Sequence, residues 1–427
     1  MSAAIESLPL TLQRTAQWLA VALAFTLPQQ VALNNLVLGL LLLVALPAYG
    51  KDLPELIRQN PVARVAVIMF GLLLLGTLWG DAPWGQALGV LGKYVDLALI
   101  PLFMLLFREP VTRARSLRAF IFIMLIAWAL SWAIGLRLLP LTHGVRFLVG
   151  PSAQVDNPSI FHSYITQGLM TPYASFLLLL WARQIDSARL RWAMYLLAAQ
   201  AVADVLLMLN GRTGYLTLLV LLGWLGWTGL NSLILRHGLG VRGKLAAYAA
   251  LILFPLALMM SAYQGIPRVH DRVTTALTEV QQWQPGKFDE ENSMGTRLSL
   301  YANSLTLIAD KPLLGYGTGG LARAYGQLPD VDPTHLVENP HNEYLMQAVQ
   351  LGFLGPVMLI YLFVTLWRCA ARLPAFERDA ARGLVLTYSL TSVFNSMLLD
   401  HTEGLFFAFF TAWLFARLGE PEAPGRA

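Results

Sequence analysis

The chain has 427 residues, of which 56% are hydrophobic and only 13% charged, against about 25% charged in soluble domains. This composition excludes a water-soluble globular protein and puts most of the chain in a bilayer. The net charge of +5 does not point to nucleic acid, because Lys and Arg fall in short gaps between apolar runs and form no stripe interleaved with aromatics.

Read in chain order, Arg14 precedes the apolar stretch from Trp18 to Thr26. That stretch has the core of a signal peptide but no small-residue cleavage site before Pro28, so it reads as a retained first helix. Apolar runs such as Val31 to Tyr49, Val62 to Trp79, Tyr215 to Leu235 and Tyr344 to Trp367 each approach the roughly 20 residues that a spanning helix needs. The pattern predicts an all-α integral membrane protein with about twelve transmembrane helices. Residues 1–263 hold the first nine, 264–340 form one large loop with short amphipathic helices, and 341–427 hold the last three and a tail.

Orientation follows from the Lys/Arg asymmetry. With the N-terminus in the cytoplasm, every second gap is basic: Lys51 and Arg58, then Arg108 to Arg118, Arg183 to Arg191, Arg236 to Lys244, and Arg368 to Arg382. Basic loops stay inside. The alternate gaps, including a tight turn expected at Asp400 to Glu403, are short or balanced by acidic residues, and only the one from Gln264 to Pro340 is long. A connection of that length carries structure and function of its own. In it Val269, Val273, Leu277 and Val280 recur at helical spacing, as do Leu298, Tyr301, Leu305 and Ile308. A polar connection with Gly286, Lys287 and the acidic run Asp289 to Glu291 separates the two helices. Pro312 and the glycines from Gly315 to Gly320 end the second.

The polar groups of the outer side are the chemical candidates. Arg212 sits in Asn210-Gly211-Arg212-Thr213-Gly214, a sharp reversal that holds it at head-group depth. Its guanidinium can grip phosphate oxygens bidentately, or snorkel to ordinary lipid phosphates. Arg297 follows Ser293 and Thr296, which read as a helix start. The helix dipole disfavours a cation there unless an anion is bound, and the free N–H groups of the same end favour that anion. His341 follows Asn339-Pro340, read as N-cap and first helical residue, so it belongs in the first turn of the tenth span. That positive end disfavours imidazolium and leaves a ring able to accept a proton, whereas Glu343 in the same turn would favour the charged form.

Lys93 and Asp96, at i and i+3, form an internal ion pair or free Lys93 as a third cation. His162, Tyr164 and Gln167 open the sixth span from the outer side, positioned to hydrogen-bond a sugar, while Asp204 lies deeper and fixes helix packing. Asp330, Asp332 and His335 are the alternative signal, a divalent-cation site, although aspartates beside Pro329 and Pro333 are also ordinary turn formers. The single cysteine, Cys369, excludes a disulfide framework and a cysteine metal site. There is no P-loop, GxSxG, HExxH or CxxC pattern.

The order of these motifs is distinctive: Arg212-Thr213-Gly214 between two spans, a large outer loop with Thr296-Arg297 and Gly315-Tyr316-Gly317, then Asn339-Pro340-His341-Asn342 opening the next span. It resembles the O-antigen ligase and O-antigen polymerase superfamily, best over roughly Gly211 to Ile360. The resemblance implies an inner-membrane glycosyltransferase of the GT-C type that uses undecaprenyl-diphosphate-linked glycan as donor. Arg212 and Arg297 would neutralise the departing diphosphate, with Lys93 as a third cation. His341 would take the acceptor proton, and His162, Tyr164, Gln167 and Asn342 would contact substrate. Direct attack implies inversion, with no metal or other cofactor. Within the superfamily the chain looks most like the ligase that joins O-antigen to lipid A-core in lipopolysaccharide biosynthesis, its active site facing the periplasm. Polymerases and protein O-oligosaccharyltransferases share these features. A lipid-linked glycan transporter is the non-enzyme alternative, though it would place cations along a central cavity open to both sides.

Overall fold

The computed structural model describes residues 2–142, 148–238, 240–265, 267–284, 293–329, 331 and 337–418. The polar connection from Gly286 to Glu291 and the residues Asp330, Asp332 and His335 lie outside them. Among the described residues the chain is all-helical, with two isolated antiparallel bridges, Val149 to Ile160 and Gln154 to Asn157, and no strand.

The first half runs α1 (Ser2–Thr26), α2 (Val31–Tyr49), α3 (Leu53–Gln59), α4 (Pro61–Gly76), α5 (Trp84–Lys93), α6 (Val95–Phe107), α7 (Pro110–Gly135), α8 (Tyr164–Ala182) and α9 (Ala188–Leu207). The second half runs α10 (Arg212–His237), α11 (Val241–Gly265), α12 (Pro267–Gln282), α13 (Ser293–Asp310), α14 (Leu321–Tyr325), α15 (Glu343–Leu351), α16 (Leu354–Ala370), α17 (Ala375–Thr391) and α18 (His401–Phe415). Helix starts are set by local chemistry. The Asn60 side chain accepts from the N–H groups of Val62 and Ala63, with Pro61 at the first helical position of α4. Ser163 accepts from Thr166 N–H at the head of α8, and Gly238, at φ +57°, ends α10.

Among the described residues six segments are long and apolar enough to cross a membrane: Val31–Gln59, Trp84–Phe107, Pro110–Gly135, Tyr164–Ala182, Ala188–Leu207 and Arg212–His237. Pro61–Gly76 and Leu354–Ala370 are shorter apolar helices. Leu36, Leu40 and Leu43 on α2, Phe122 on α7 and Leu196 on α9 are all exposed. Such an apolar exterior is matched to lipid and not to water, and the chain is a multi-pass membrane protein.

The hub is the last helix. α18 is apolar on every side, and a helix of that kind belongs in the centre of a large protein. Phe406, Phe407, Phe409 and Phe410 are fully buried. Their rings meet Tyr173 of α8, Tyr388 of α17, Phe107 of α6 and Phe120 of α7 at centroid separations of 5.6, 4.7, 4.9 and 5.0 Å respectively. Aromatic pairs in this range add to the burial of their surfaces. Around this post, α8 packs on α9 and α10, α1 on α2 and α7, and α4 on α16.

The two ends of the bundle differ. At one end Arg113 pairs with Glu377 at 3.0 Å and lies over Trp413, Arg115 lies over Trp18, and Asn60 donates to the carbonyl of Phe415. At the other end stand Lys93, His162, Arg212, His341 and Asp400, at the ends of α5, α8, α10, α15 and α18.

The run from Tyr344 to Trp367, expected as one continuous span, is broken. Gly352 takes φ +61° between α15 and α16, where a side chain would collide with the carbonyl of Leu313. The Gly315-Tyr316-Gly317 turn docks into this break: Tyr316 and Gly317 donate their N–H groups to the carbonyls of Val349 and Gln350, and Gly319 donates to the Gln350 side chain. Thr318 reaches the other way, to Gly76 and Leu73 at the end of α4. The glycine motif therefore fastens the segment before α15 to the ends of α4 and α15. Gly317 has no freedom to change, since at φ +77° a Cβ would lie 2.4 Å from the Cα of Gly80.

Candidate functional site

His341 does not lie in the first turn of a helix. The cap of α15 is Asn342, whose side chain accepts from Leu345 N–H at 3.0 Å, while Asn339 instead accepts from His341 N–H at 2.8 Å. His341 thus precedes the helix, in the left-handed region at φ +52°. Few residues other than glycine sit there, and those held there against strain concentrate at functional sites. Its backbone is held on both sides, by Asn339 on the N–H and by Tyr301, whose single hydroxyl proton is shared between the carbonyls of His341 at 3.0 Å and Val393 at 2.8 Å.

The ring is also oriented. Nδ1 stands 3.0 Å from Asn395 Oδ1, and Asn395 Nδ2 donates to Asp400 Oδ2 at 3.3 Å. A carboxylate only accepts, so the NH2 of the amide must face Asp400 and its oxygen must face the imidazole. Nδ1 then carries the proton and Nε2 is the acceptor, the form a general base requires. Burial pushes the Asp400 carboxyl up, and Lys93, together with His341 whenever its ring is charged, opposes that shift.

Arg297 lies early in α13, one helical turn before Tyr301, and its charge acts on that tyrosine. Arg212 is the first residue of α10, not part of an open turn, with Gly211 as the cap. Its guanidinium is 3.9 Å from Glu279 Oε2 on α12. The same Glu279 oxygen accepts from Met294 N–H at the start of α13. Glu279 therefore sits between Arg212 and the head of the Arg297 helix. Arg212 is thus linked through Glu279 to the head of α13, the helix that carries Arg297, and Tyr301 of the same helix links it to His341.

Other expectations change. Lys93 and Asp96 form no ion pair, because Tyr94 breaks the helix between them. Lys93 reaches Glu338 at 3.6 Å, and Asp96 faces His401 Nδ1 at 3.7 Å. Glu343 does not pair with His341 either. It is fully buried and accepts from Tyr94, Gln347 and the N–H of Leu398. Gln167 is engaged in the fold: its oxygen accepts from Ile160 N–H and its nitrogen donates to Asp204 at 3.2 Å. Asn342 is likewise occupied as a cap. Tyr164 packs its ring on Gly211, beside Arg212. His162 lines an open cavity, and burial holds its imidazole below the usual value. The turn expected from Asp400 to Glu403 is instead a longer link ending at Asp400, with His401 to Glu403 inside α18.

Sequence reasoning missed Glu279, Tyr301 as a clamp, and Asn395. Asn395 carried one available signal, an amide in the short interruption between two apolar helices, where a buried polar group needs partners.

The curated proteins contain no match to this chain. Residues 196–360 match the family model described as O-antigen ligase. That stretch holds Arg212, Glu279, Arg297, Tyr301 and His341, while Lys93, His162, Asn395 and Asp400 lie outside it and meet it only in three dimensions. The similarity to the O-antigen ligase family thus covers residues 196–360, the stretch that carries both arginines and His341.

Proposed function

We propose that the protein is an O-antigen ligase, transferring glycan from undecaprenyl diphosphate to a sugar hydroxyl of lipid A-core on the periplasmic face of the inner membrane. The observation that carries this reading is the oriented His341 ring, tied through Tyr301 to the arginine-bearing helix α13. Nε2 of His341 takes the acceptor proton as the acceptor oxygen attacks the anomeric carbon. The bond from that carbon to the diphosphate breaks with its electron pair on the leaving oxygen. Arg212 and Arg297 hold the negative charge that develops there, with Lys93 close to the same end of the bundle. Attack from the face opposite the leaving group inverts the anomeric centre in one step. No step calls on a metal.

The test is transfer by the purified full chain, with polyprenyl-diphosphate glycan as donor and either core lipid or free glycan as acceptor, in excess EDTA. Core lipid should be glycosylated. Elongation of free glycan alone would make the protein a polymerase, and activity restored only by magnesium or manganese would bring Asp330 and Asp332 into the site.

Twelve crossings in a GT-C-like arrangement follow if α1, α2, α4, the α5–α6 pair, α7 to α11, the α15–α16 pair, α17 and α18 each cross once. The domain boundaries read from the sequence then stand, with residues 264–340 outside. The Arg113 end, with its basic loops, is assigned to the cytoplasm. A cysteine at exposed Gln281 on α12, in a Cys369→Ala background, should react with an impermeant thiol reagent in cells whose outer membrane alone is permeabilised. Labelling only after rupture of the inner membrane would reverse the topology and remove the periplasmic site.

A further inference from the structure

The His162 side of the site has architecture that the reading so far leaves unused. A cavity of about 280 Å3 lies between the head of α8 and the start of α18, lined by His162, Ser163, Asp400, His401 and Glu403. It shares Val31, His162 and Ser163 with a larger cavity of about 490 Å3, whose far wall includes Gln30, Pro151, Ser152 and Phe161. The two adjoin at these residues, and the larger is of the size that ligand pockets occupy.

The turn that presents His162 is built for it. Gly150 passes so close to His162 that a Cβ there would overlap the His162 carbonyl. Phe161 is held at φ +65°, with its N–H on the carbonyl of Leu148. The His162 ring is fixed as well, with Nδ1 2.9 Å from Thr166 Oγ1, whose own proton goes to Glu403 Oε1 at 2.7 Å. With that proton committed, Thr166 accepts from Nδ1–H, and His162 Nε2 is left as an acceptor. Deeper in, the Asp96 carboxyl is 2% exposed, accepts no hydrogen bond from the described residues, and stands 3.7 Å from His401 Nδ1.

The lining sorts possible ligands by charge. Its described residues offer carboxyl groups, imidazoles, an amide and hydroxyls, and include neither Lys nor Arg. A phosphate would find no cation among these residues, whereas carboxyl and imidazole groups pair with sugar hydroxyls, which both donate and accept. Val31, Pro151 and Phe161 offer apolar surface to the C–H faces of a sugar ring. Asp400 also belongs to the chain that orients His341, so the cavity abuts the candidate base on its Asn395 side, while the arginines approach through α12 and α13.

We propose that the adjoining cavities between the Val149–His162 turn, the head of α2 and the start of α18 bind neutral sugar residues of the glycan acceptor, with His162 Nε2 and the Asp400 carboxylate receiving sugar hydroxyls. The proposal rests on the transferase reading above and adds to it the place of the acceptor. Ser163 and His401 complete the polar wall, and Ser152 marks the mouth of the larger lobe.

The experiment uses the full chain in lipid nanodiscs and measures transfer with acceptor and donor varied in turn, for His162→Gln and Ser152→Trp. His162→Gln removes the acceptor nitrogen, and Ser152→Trp fills the larger lobe. Each should raise KM for core lipid about tenfold, equivalent to one lost interaction of about 1.4 kcal/mol, with KM for the lipid-linked donor unchanged. If Ser152→Trp fails to fold, His162→Gln decides alone. Wild-type KM for the acceptor in His162→Gln, or in both variants, overturns the proposal. A raised KM for the donor instead places the donor's glycan in the cavity and overturns it equally. Failure of the transferase reading looks different, since the unaltered protein would then transfer nothing to any acceptor.

Discussion

His341→Gln is expected to leave a folded protein that binds donor normally and transfers glycan about two to four orders of magnitude more slowly, the usual worth of a general base. Folding should survive because the strained backbone at φ +52° is held through main-chain groups, by Asn339 on the N–H and Tyr301 on the carbonyl, and neither bond uses the ring. Glutamine keeps size and polarity and loses only basicity. Asn395→Leu should give a smaller loss, because the base remains but the partner of its Nδ1 is gone. The pH profile adds a second readout. Burial raises the Asp400 carboxyl, so its protonation, which frees the Asn395 amide to turn over, begins at a higher pH than for an ordinary carboxylate. Transfer should accordingly decline on the acid side from that pH downward. The Lys93 charge lowers the same carboxyl, so Lys93→Met should move the acid limb to still higher pH. If folded His341→Gln transfers at the wild-type rate, His341 is not the base, and Asp400 becomes the next candidate.

What was legible in the sequence was whatever depends on local pattern. Apolar runs of spanning length, the basic ends of alternate gaps, and the helices α12 and α13 all follow from periodicity and charge within short windows. His341, Arg212 and Arg297 stood out because polar groups are costly at a membrane surface and few are tolerated there. What pattern cannot show is a break imposed by tertiary contact. The Tyr344 to Trp367 run has a single glycine to mark its interruption, and Gly352 matters because the carbonyl of Leu313 arrives beside it from the outer segment. His341 was placed in a helix because Asn-Pro reads as a cap, whereas Asn342 won that role and Asn339 turned its side chain to the His341 N–H. The last helix is the clearest case. Its even apolarity marks it as buried, but nothing local says that its head would bring Asp400, His401 and Glu403 against His162, more than two hundred residues away in the chain.

The two arginines differ from ordinary lipid anchors in one measurable respect, the planar fork of the guanidinium. Lysine preserves the charge and loses the pair of parallel donors that a diphosphate oxygen pair accepts. Arg212→Lys and Arg297→Lys should each reduce kcat/KM for the donor by about ten- to a hundredfold, the scale of one or two charge-assisted hydrogen bonds. The acceptor KM should stay put. Glu279 sharpens the test, because its carboxylate lies 3.9 Å from Arg212 and also accepts the Met294 N–H at the head of α13. It stands where an anion between Arg212 and that helix end would stand, and a diphosphate entering there must displace it. Glu279→Gln weakens the competitor without removing the side chain, so it should lower the donor KM in the wild-type background and have less effect beside Arg212→Lys. Such non-additivity is the mark of two residues acting on one ligand. Full activity in both lysine variants, with a donor KM indifferent to Glu279→Gln, would mean that the diphosphate is held elsewhere and that these arginines only meet the lipid surface.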